Sequence, residues 1–356
     1  MSKLIEAGKG RYLALRNWYE KYERHIGTAS LFTGFIFDSL TLQRIDAWRE
    51  NLWIALNLLV SATCVVLLNR KEAADPERHF WIYTILQFSF GSMLGAFFIF
   101  YFQSSTIAVS WPFLLILIFA MLANELFQRK YARLVLQVSF LYLSIYTFLI
   151  FLVPIVLHRI GGVAFLLSGI LSLTIVWLYF RLLGRAIWKP VLVIFVAMNV
   201  LYFANIIPAI PLSLKDAGIY HGISRMGDGS YMVVDEEDGN GMFQFLRMND
   251  SVHWLSGDTL YAYNAIYSPA KLNTSVIHEW QYFDEGEGRW VTASRIPLSL
   301  TGGRLQGFRT YSSKSNLSYG NWRVNVTTES GQFIGRIKFE LVPLSGTHNY
   351  VTLIKE

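Results

Sequence analysis

The chain has 356 residues, of which 53% are hydrophobic and only 16% are charged. Soluble domains carry about 25% charged residues, so this composition argues against a soluble protein and indicates a membrane protein. The single cysteine, Cys64, excludes an intramolecular disulfide and any multi-cysteine metal site. No basic face interleaved with aromatic residues is evident, so nucleic acid is not expected as a partner.

The charge divides the chain at the place where the apolar runs end. Residues 1–212 carry a formal net charge of +8, whereas residues 213–356 carry −2. The basic character therefore belongs to the membrane half, where it reflects lipid headgroups and topology. We predict four segments: an amphipathic cytoplasmic segment at 1–27, a helical membrane domain at 28–208, a connector at 209–230 and an extracytoplasmic β-sandwich at 231–356.

Six apolar stretches reach the roughly 20 residues that a membrane-spanning helix needs. They lie near 51–69, 80–102, 106–126, 133–157, 161–180 and 189–208. A seventh, at 26–42, is at the lower limit of length. With seven spans, Lys and Arg divide 15 to 3 between the two sides of the membrane, but with six spans they divide 9 to 9.

Only the seven-span arrangement has a defined orientation by the positive-inside rule. It predicts a multi-pass protein of the cytoplasmic (inner) membrane, with its N-terminus in the cytoplasm and the region from residue 209 onward outside. The lipid bilayer is thus the first expected partner.

Ionisable residues within apolar spans are candidates for function, and this sequence offers two of them. Asp38 lies near the outer end of the first predicted span and Glu125 near the inner end of the fourth. An interfacial position for both is the alternative to a transport path. Neutral amides such as Asn57, Gln87 and Asn124 are typical of interhelical hydrogen bonds.

Strand signals dominate the C-terminal part of the chain from Tyr231 onward. They lie at 231–235, 242–247, 259–267, 275–283, 290–297, 307–313, 321–328, 333–342 and 349–354. Near the end, apolar and polar residues alternate, with Phe333, Gly335, Ile337, Phe339 and Leu341 predicted on one face and Ile334, Arg336, Lys338 and Glu340 on the other. This period of two predicts antiparallel sheets covered on one side, and we expect an all-β antiparallel sandwich of the immunoglobulin or fibronectin type.

Candidate ligand-binding residues cluster in the run from Gly302 to Asn316. Arg304, Arg309 and Lys314 lie near Tyr311, and such a group is suited to an anionic or hydroxyl-rich ligand. A solvated strand face is the plain alternative. No nucleophile–base pattern, metal-ligand spacing or phosphate-binding loop is present, so no catalytic residue, metal or cofactor is predicted.

Three motifs in the C-terminal region resemble the bacterial family known as domain of unknown function 2914. They are an H-x-W strand (His278, Trp280), an R-x-Y-S-x-K run (Arg309, Tyr311, Ser312, Lys314) and a closing G-x-W-R-V-x-V hairpin (Gly320, Trp322, Arg323). The resemblance implies a domain assignment and adds His278 and Trp280 to the candidate positions. It implies no activity.

Three functions are compatible with these features. The first is a binding or scaffolding module for an envelope component, with a glycan, a lipid headgroup or a protein as partner. The second is a transporter, channel or membrane sensor gated by the outer domain, and the third is an envelope-assembly enzyme. The absence of catalytic motifs favours a non-enzymatic role.

Overall fold

The structure of this protein is a computed structural model. It describes residues 36, 39, 42, 47–69, 76–104, 107–126, 133–209, 211–236, 250–268, 273–301, 307–344 and 349–355. The described residues form two compact units. The first unit is helical, and the second contains every described strand together with residues 101–114, 149–173 and the end of the last helix.

Six helices are described, and each coincides with one of the six long apolar stretches. They are α1 (Trp48–Asn69), α2 (Pro76–Gln103), α3 (Ile107–Leu126), α4 (Leu134–Leu157), α5 (Gly162–Leu183) and α6 (Trp188–Phe203). Long uninterrupted apolar runs form helices in a membrane because a helix satisfies its own backbone hydrogen bonds.

Four of these helices are long and apolar enough to cross a membrane: Trp48–Asn69, Trp81–Gln103, Leu134–Leu157 and Gly162–Leu183. The apolar parts of α3 and α6 are shorter. The structure therefore describes a helical region typical of a membrane protein but fewer spans than the seven predicted. The first predicted span lies outside the described residues except for Ile36, Ser39 and Leu42.

Polar side chains of the first unit connect its helices to one another. The Asn69 amide on α1 donates to the Gln137 side-chain oxygen on α4 over 2.8 Å. The Tyr179 hydroxyl on α5 donates to the Ala62 carbonyl on α1 over 2.9 Å. Such bonds between helices stabilise packing in an apolar environment, where the hydrophobic effect does not drive helix association.

Eleven strands are described, in three sheets. They are β1 (Ser213–Tyr220), β2 (Gly222–Arg225), β3 (Tyr231–Glu236), β4 (Asp250–Trp254), β5 (Leu260–Tyr267), β6 (Asn273–Asp284), β7 (Arg289–Thr301), β8 (Phe308–Lys314), β9 (Gly320–Thr328), β10 (Phe333–Pro343) and β11 (Tyr350–Lys355). The five-stranded sheet has the order β4-β10-β9-β6-β7. The two three-stranded sheets are β1-β5-β8 and β11-β3-β2.

This arrangement differs from the predicted sandwich of two antiparallel sheets. A third sheet is present, and β4 pairs with β10 in parallel. Strands β1 and β2 also lie within the range predicted as a connector. Their sequences have few of the β-branched residues that mark strands, and β1 is instead held by backbone pairing with β5.

The main core lies on one side of the five-stranded sheet. Trp280, Trp322, Val324 and Phe339 from this sheet are at most 3% exposed and pack in one cluster with Leu260 of β5. A smaller cluster contains Tyr220, Tyr231 and Tyr263 and so joins the β1-β5-β8 sheet to β3. The strands thus share apolar clusters, as expected for a domain stabilised mainly by burial of apolar surface.

The predicted alternation in β10 is confirmed at Ile337, Phe339 and Leu341, which are all buried. It is wrong at Ile334, which is 1% exposed and packs in the core. The cause is an irregularity in the β9–β10 pairing between Phe333 and Gly335, which inserts one extra residue and changes the side that Phe333 and Ile334 face.

Gly307 precedes β8, and two features of its position favour glycine over any other residue. Its φ is +95°, and a Cβ atom there would lie 3.0 Å from backbone atoms of Ala265 and Ile266. We expect Gly307→Ala to lower the free energy of unfolding by about 1–3 kcal/mol, because it adds backbone strain and a steric contact. Thermal unfolding of the detergent-solubilised chain, followed by tryptophan fluorescence, measures this.

Gly227→Ala is the matched control, since no atom lies within 4 Å of the position that its Cβ would take. Equal melting temperatures for the two variants would contradict the role assigned to Gly307.

Candidate functional site

The side of the five-stranded sheet opposite the main core carries a set of polar and cationic side chains. Cross-strand pairing places them in two neighbouring rows, since residues that are partners across a ladder share a face. We call this set, together with the adjacent Trp290, the arginine face. Its rows are Thr292–Gln281–Arg323–Lys338 and Arg295–Glu279–Asn325–Arg336.

Two buried amides form the centre of the arginine face. Asn325 is 2% exposed and Gln281 is 8% exposed, so neither can be left without hydrogen-bond partners at low cost. The Asn325 amide donates to the Gln281 side-chain oxygen over 3.1 Å and to Oε2 of Glu279 over 3.3 Å. The Gln281 amide donates to the Thr292 hydroxyl over 2.9 Å.

The two arginines are held by these amides through their Nε atoms. Arg323 Nε donates to the Gln281 oxygen, and Arg336 Nε donates to the Asn325 oxygen, each over 2.7 Å. Arg323 Cζ lies 4.2 Å from the centroid of the Trp290 ring. A planar guanidinium fixed in this way keeps terminal N–H groups that are suited to oxyanions or hydroxyl groups.

The pKa values of both arginines report their surroundings. Burial, with the nearby charge of Arg336, lowers the pKa of Arg323 to about 10, while the Glu279 charge opposes this shift. Burial also lowers the pKa of Arg336, again against the effect of Glu279. With a pKa of about 10, Arg323 still carries its charge at neutral pH. Arginine side chains stay protonated in proteins, so the face is cationic.

His278 and Trp280 lie in the interior of the second unit, on the core side of β6. Both are 0% exposed. His278 Nδ1 lies 2.8 Å from the Ser312 hydroxyl oxygen, and the Trp280 indole N–H donates to the same oxygen over 2.9 Å. Asn264 on β5 contacts the other ring nitrogen of His278. The H-x-W and R-x-Y-S-x-K motifs therefore meet in one buried hydrogen-bonded network.

The other predicted ligand-binding residues on β8 do not join this network. Arg309 and Tyr311 pair with Ala265 and Tyr263, so they face the side of the sheet opposite Ser312. Lys314 Nζ lies 6.0 Å from the centroid of the Trp322 ring. Arg309 and Tyr311 thus share one side of β8, and Lys314 faces the other. Arg304 lies outside the described residues.

The two intramembrane candidates have different outcomes. Asp38 lies outside the described residues. Glu125 lies at the end of α3 and accepts a hydrogen bond from the Gln87 amide over 3.1 Å. The neighbouring Asn124 amide donates to the Gln87 carbonyl over 3.1 Å. These contacts connect α2 and α3 and are those of a packing interface between helices.

A cluster that the sequence spacing did not predict joins His221, Glu236 and His253. His221 Nε2 lies 2.8 Å from one carboxylate oxygen of Glu236, and His253 Nδ1 lies 2.7 Å from the other. Burial alone would raise the pKa of Glu236, but hydrogen bonds from both histidines outweigh it and hold this pKa below its ordinary value. The cluster connects β3 to β4, and no group in the described part of the chain is arranged to hold a metal ion.

Four apolar helices long enough to cross a membrane indicate a membrane protein, and a β-rich C-terminal region follows the helices. Residues 273–341 match the family described as "Protein of unknown function (DUF2914)", so the C-terminal region carries this domain. The match includes β6, β7, β8, β9 and most of β10, and therefore every residue of the arginine face. No curated protein matches the chain.

Comparison with solved structures found low similarity. A β-glucosidase from Listeria innocua in complex with isofagomine is 12% identical with a TM-score of 0.19, and the match covers 32% of this chain and 16% of the enzyme. Alkylpurine DNA glycosylase AlkC from Pseudomonas fluorescens, bound to DNA containing an abasic site analog, is 7% identical with a TM-score of 0.23, covering 84% and 99%. The chain spans about a sixth of the β-glucosidase length, and these TM-scores define no shared fold.

His278 gives the stability of the protein a specific dependence on pH. Burial lowers its pKa from 6.5 to about 4, so between these values the unfolded chain binds a proton that the folded chain excludes. We expect the melting temperature to be highest above pH 6.5 and to fall as the pH drops towards 4, as measured by tryptophan fluorescence in detergent.

His278→Asn removes the titrating group, so the melting temperature of this variant should depend less on pH between 6.5 and 4. The variant should also lose about 1–3 kcal/mol of stability at neutral pH, because hydrogen bonds of His278 are lost. His158→Asn is the control, because His158 is exposed and its φ of 53° is one that Asn tolerates. A flattened profile in the control but not in His278→Asn would contradict the assignment.

Proposed function

We propose that this protein is a multi-pass protein of the cytoplasmic membrane that presents its β-rich region outside the cytoplasm and binds an envelope glycan. The observation that carries the proposal is the arginine face, in which buried amides, guanidinium groups and an indole ring share one side of a sheet. Side chains of these types recognise hydroxyl-rich molecules through hydrogen bonds and stacking.

Two helix connections support the extracytoplasmic location. In the second unit, the Ser213 hydroxyl donates to the Gln103 carbonyl at the end of α2 over 2.6 Å. Ile160, between α4 and α5, packs against a cluster that contains Ala209 and Leu212. These contacts support a location of both connections on the same side of the membrane as the strands.

The distribution of Lys and Arg indicates which side of the membrane this is. The connections at 103–105 and 158–160 contain one Lys or Arg in total, whereas those at 70–79, 127–133 and 181–189 contain nine. Cytoplasmic loops are the ones enriched in Lys and Arg. This supports an extracytoplasmic β-rich region independently of whether residues 26–42 cross the membrane as a seventh span.

Cysteine labelling tests this topology. In a Cys64→Ala background, we expect a membrane-impermeant maleimide to label Ser313→Cys on intact spheroplasts, because Ser313 is exposed on β8. Ala186→Cys, at the exposed connection between α5 and α6, is the paired control and should react only after permeabilisation. The reverse pattern would place the β-rich region in the cytoplasm.

Binding by the arginine face is tested with the full chain in detergent on an array of neutral and acidic glycans. We expect capture of a glycan class, and at least a tenfold loss of affinity in Asn325→Leu, because this change removes the amide that orients Arg336 and costs about 1–3 kcal/mol. Ser299→Leu, an exposed position on β7, is the control. Binding that is unaffected by Asn325→Leu would exclude this face as the site.

A further inference from the structure

The charges of the arginine face are unbalanced. The set contains four cations, Arg295, Arg323, Arg336 and Lys338, and one carboxylate, Glu279. Glu279 is already engaged, since it accepts hydrogen bonds from Asn325 and Thr292 and lies 3.6 Å from Arg295 Nε. The nearest further carboxylate along β10 is that of Glu340. This residue follows Lys338 by two positions on the same side of the strand and pairs with Asn321.

Like charges are placed next to each other within this set. Arg323 is the direct cross-strand partner of Lys338, and Arg336 is opposite Asn325, two residues along β9 from Arg323. Like charges that face each other across a ladder destabilise a sheet. The lowered pKa of Arg323 has the same cause in part, because the charge of Arg336 contributes to it.

The sheet nevertheless holds the two guanidinium groups in fixed positions. Their Nε atoms are bound to neutral amide oxygens, Gln281 for Arg323 and Asn325 for Arg336, and not to carboxylates. Among the described residues, these Nε atoms make the side-chain hydrogen bonds of both arginines, and the terminal nitrogens make none. The guanidinium groups of Arg323 and Arg336 thus form a preorganised pair of hydrogen-bond donors. A bound anion would reduce the repulsion between their positive charges.

We infer that the arginine face recognises the oxyanion groups of an acidic glycan, with a carboxylate or phosphate held by Arg323, Arg336 and Lys338. This inference rests on the proposed function and names the chemical class of its ligand. The local charge supports this inference. Residues 213–356 carry a net charge of −2, whereas the arginine face within them carries an excess of positive charge.

The test measures binding of two matched probes to the full chain in detergent. Polygalacturonate oligomers carry carboxylates, and their methyl esters have the same backbone without charge. We expect the acid to bind at least tenfold more tightly than the ester, with affinity falling as salt is raised. Added inorganic phosphate should compete if phosphate is accepted in place of carboxylate, and absence of competition assigns the site to carboxylate.

Three variants locate the contact. Arg323→Gln and Arg336→Gln should each weaken binding of the acid by about 10- to 100-fold, since a hydrogen bond to a charged group contributes about 1.5–3 kcal/mol. Lys338→Gln should weaken binding less and reduce the salt dependence, and the Lys338 side chain makes no hydrogen bond to the described strands. Arg225→Gln on β2, an exposed arginine in another sheet, should bind as the original chain does.

The outcomes separate the two proposals. Equal binding of the acid and its ester, or full binding by Lys338→Gln and both arginine variants when they melt normally, would overturn the inference while leaving a glycan-binding function intact. Binding of neither probe, nor of any glycan on the array, would overturn the proposed function itself.

Discussion

The pairing of β6, β9 and β10 is the constraint on which the rest of the C-terminal region depends. Successive side chains of a strand point to opposite sides, so one register determines both sides of the sheet together. In this protein the register that buries Trp280, Val324 and Phe339 also places Gln281, Asn325 and Arg336 in contact on the other side. The core and the arginine face are therefore two results of the same backbone arrangement.

The buried network around His278 serves a different purpose. Its members lie on β5, β6 and β8, so they connect the five-stranded sheet to the β1-β5-β8 sheet through polar contacts inside an apolar core. Buried polar groups cost free energy unless they are paired, and such pairing favours one arrangement of the strands over others. Residues of two family motifs thus have a clear structural role, whatever else they do.

Much of the fold could be predicted from the sequence. All six described helices coincide with the long apolar stretches, and eight of the nine predicted strands match β3 and β5 to β11. The ninth, at 242–247, lies outside the described residues. Strands β1, β2 and β4 were not predicted, because β1 and β2 have no clear alternation and β4 is short, while β1 and β4 pair with strands distant in sequence. The sheet order and the parallel β4–β10 pair are also non-local properties.

The candidate site was predicted less well, and the reason is physical. Alternation identified Arg336 and Lys338 as part of the polar side of β10, but a polar side is usually solvated and does not reveal which residues bond to each other. The run from Arg309 to Lys314 contains the right residue types close together in sequence, yet adjacent residues on a strand face opposite sides. The His221–Glu236–His253 cluster joins residues that no local spacing connects.

The irregularity at Phe333 and Gly335 has a consequence beyond the packing of Ile334. By adding one residue to β10, it lets Ile334 enter the core while Phe333 lies on the same side as Arg336, whose Cζ is 4.9 Å from the Phe333 ring centroid. Regular alternation from Gly335 backwards would instead turn Ile334 towards the arginine face and Phe333 towards the core, so one local change of register would alter both sides of the sheet at once.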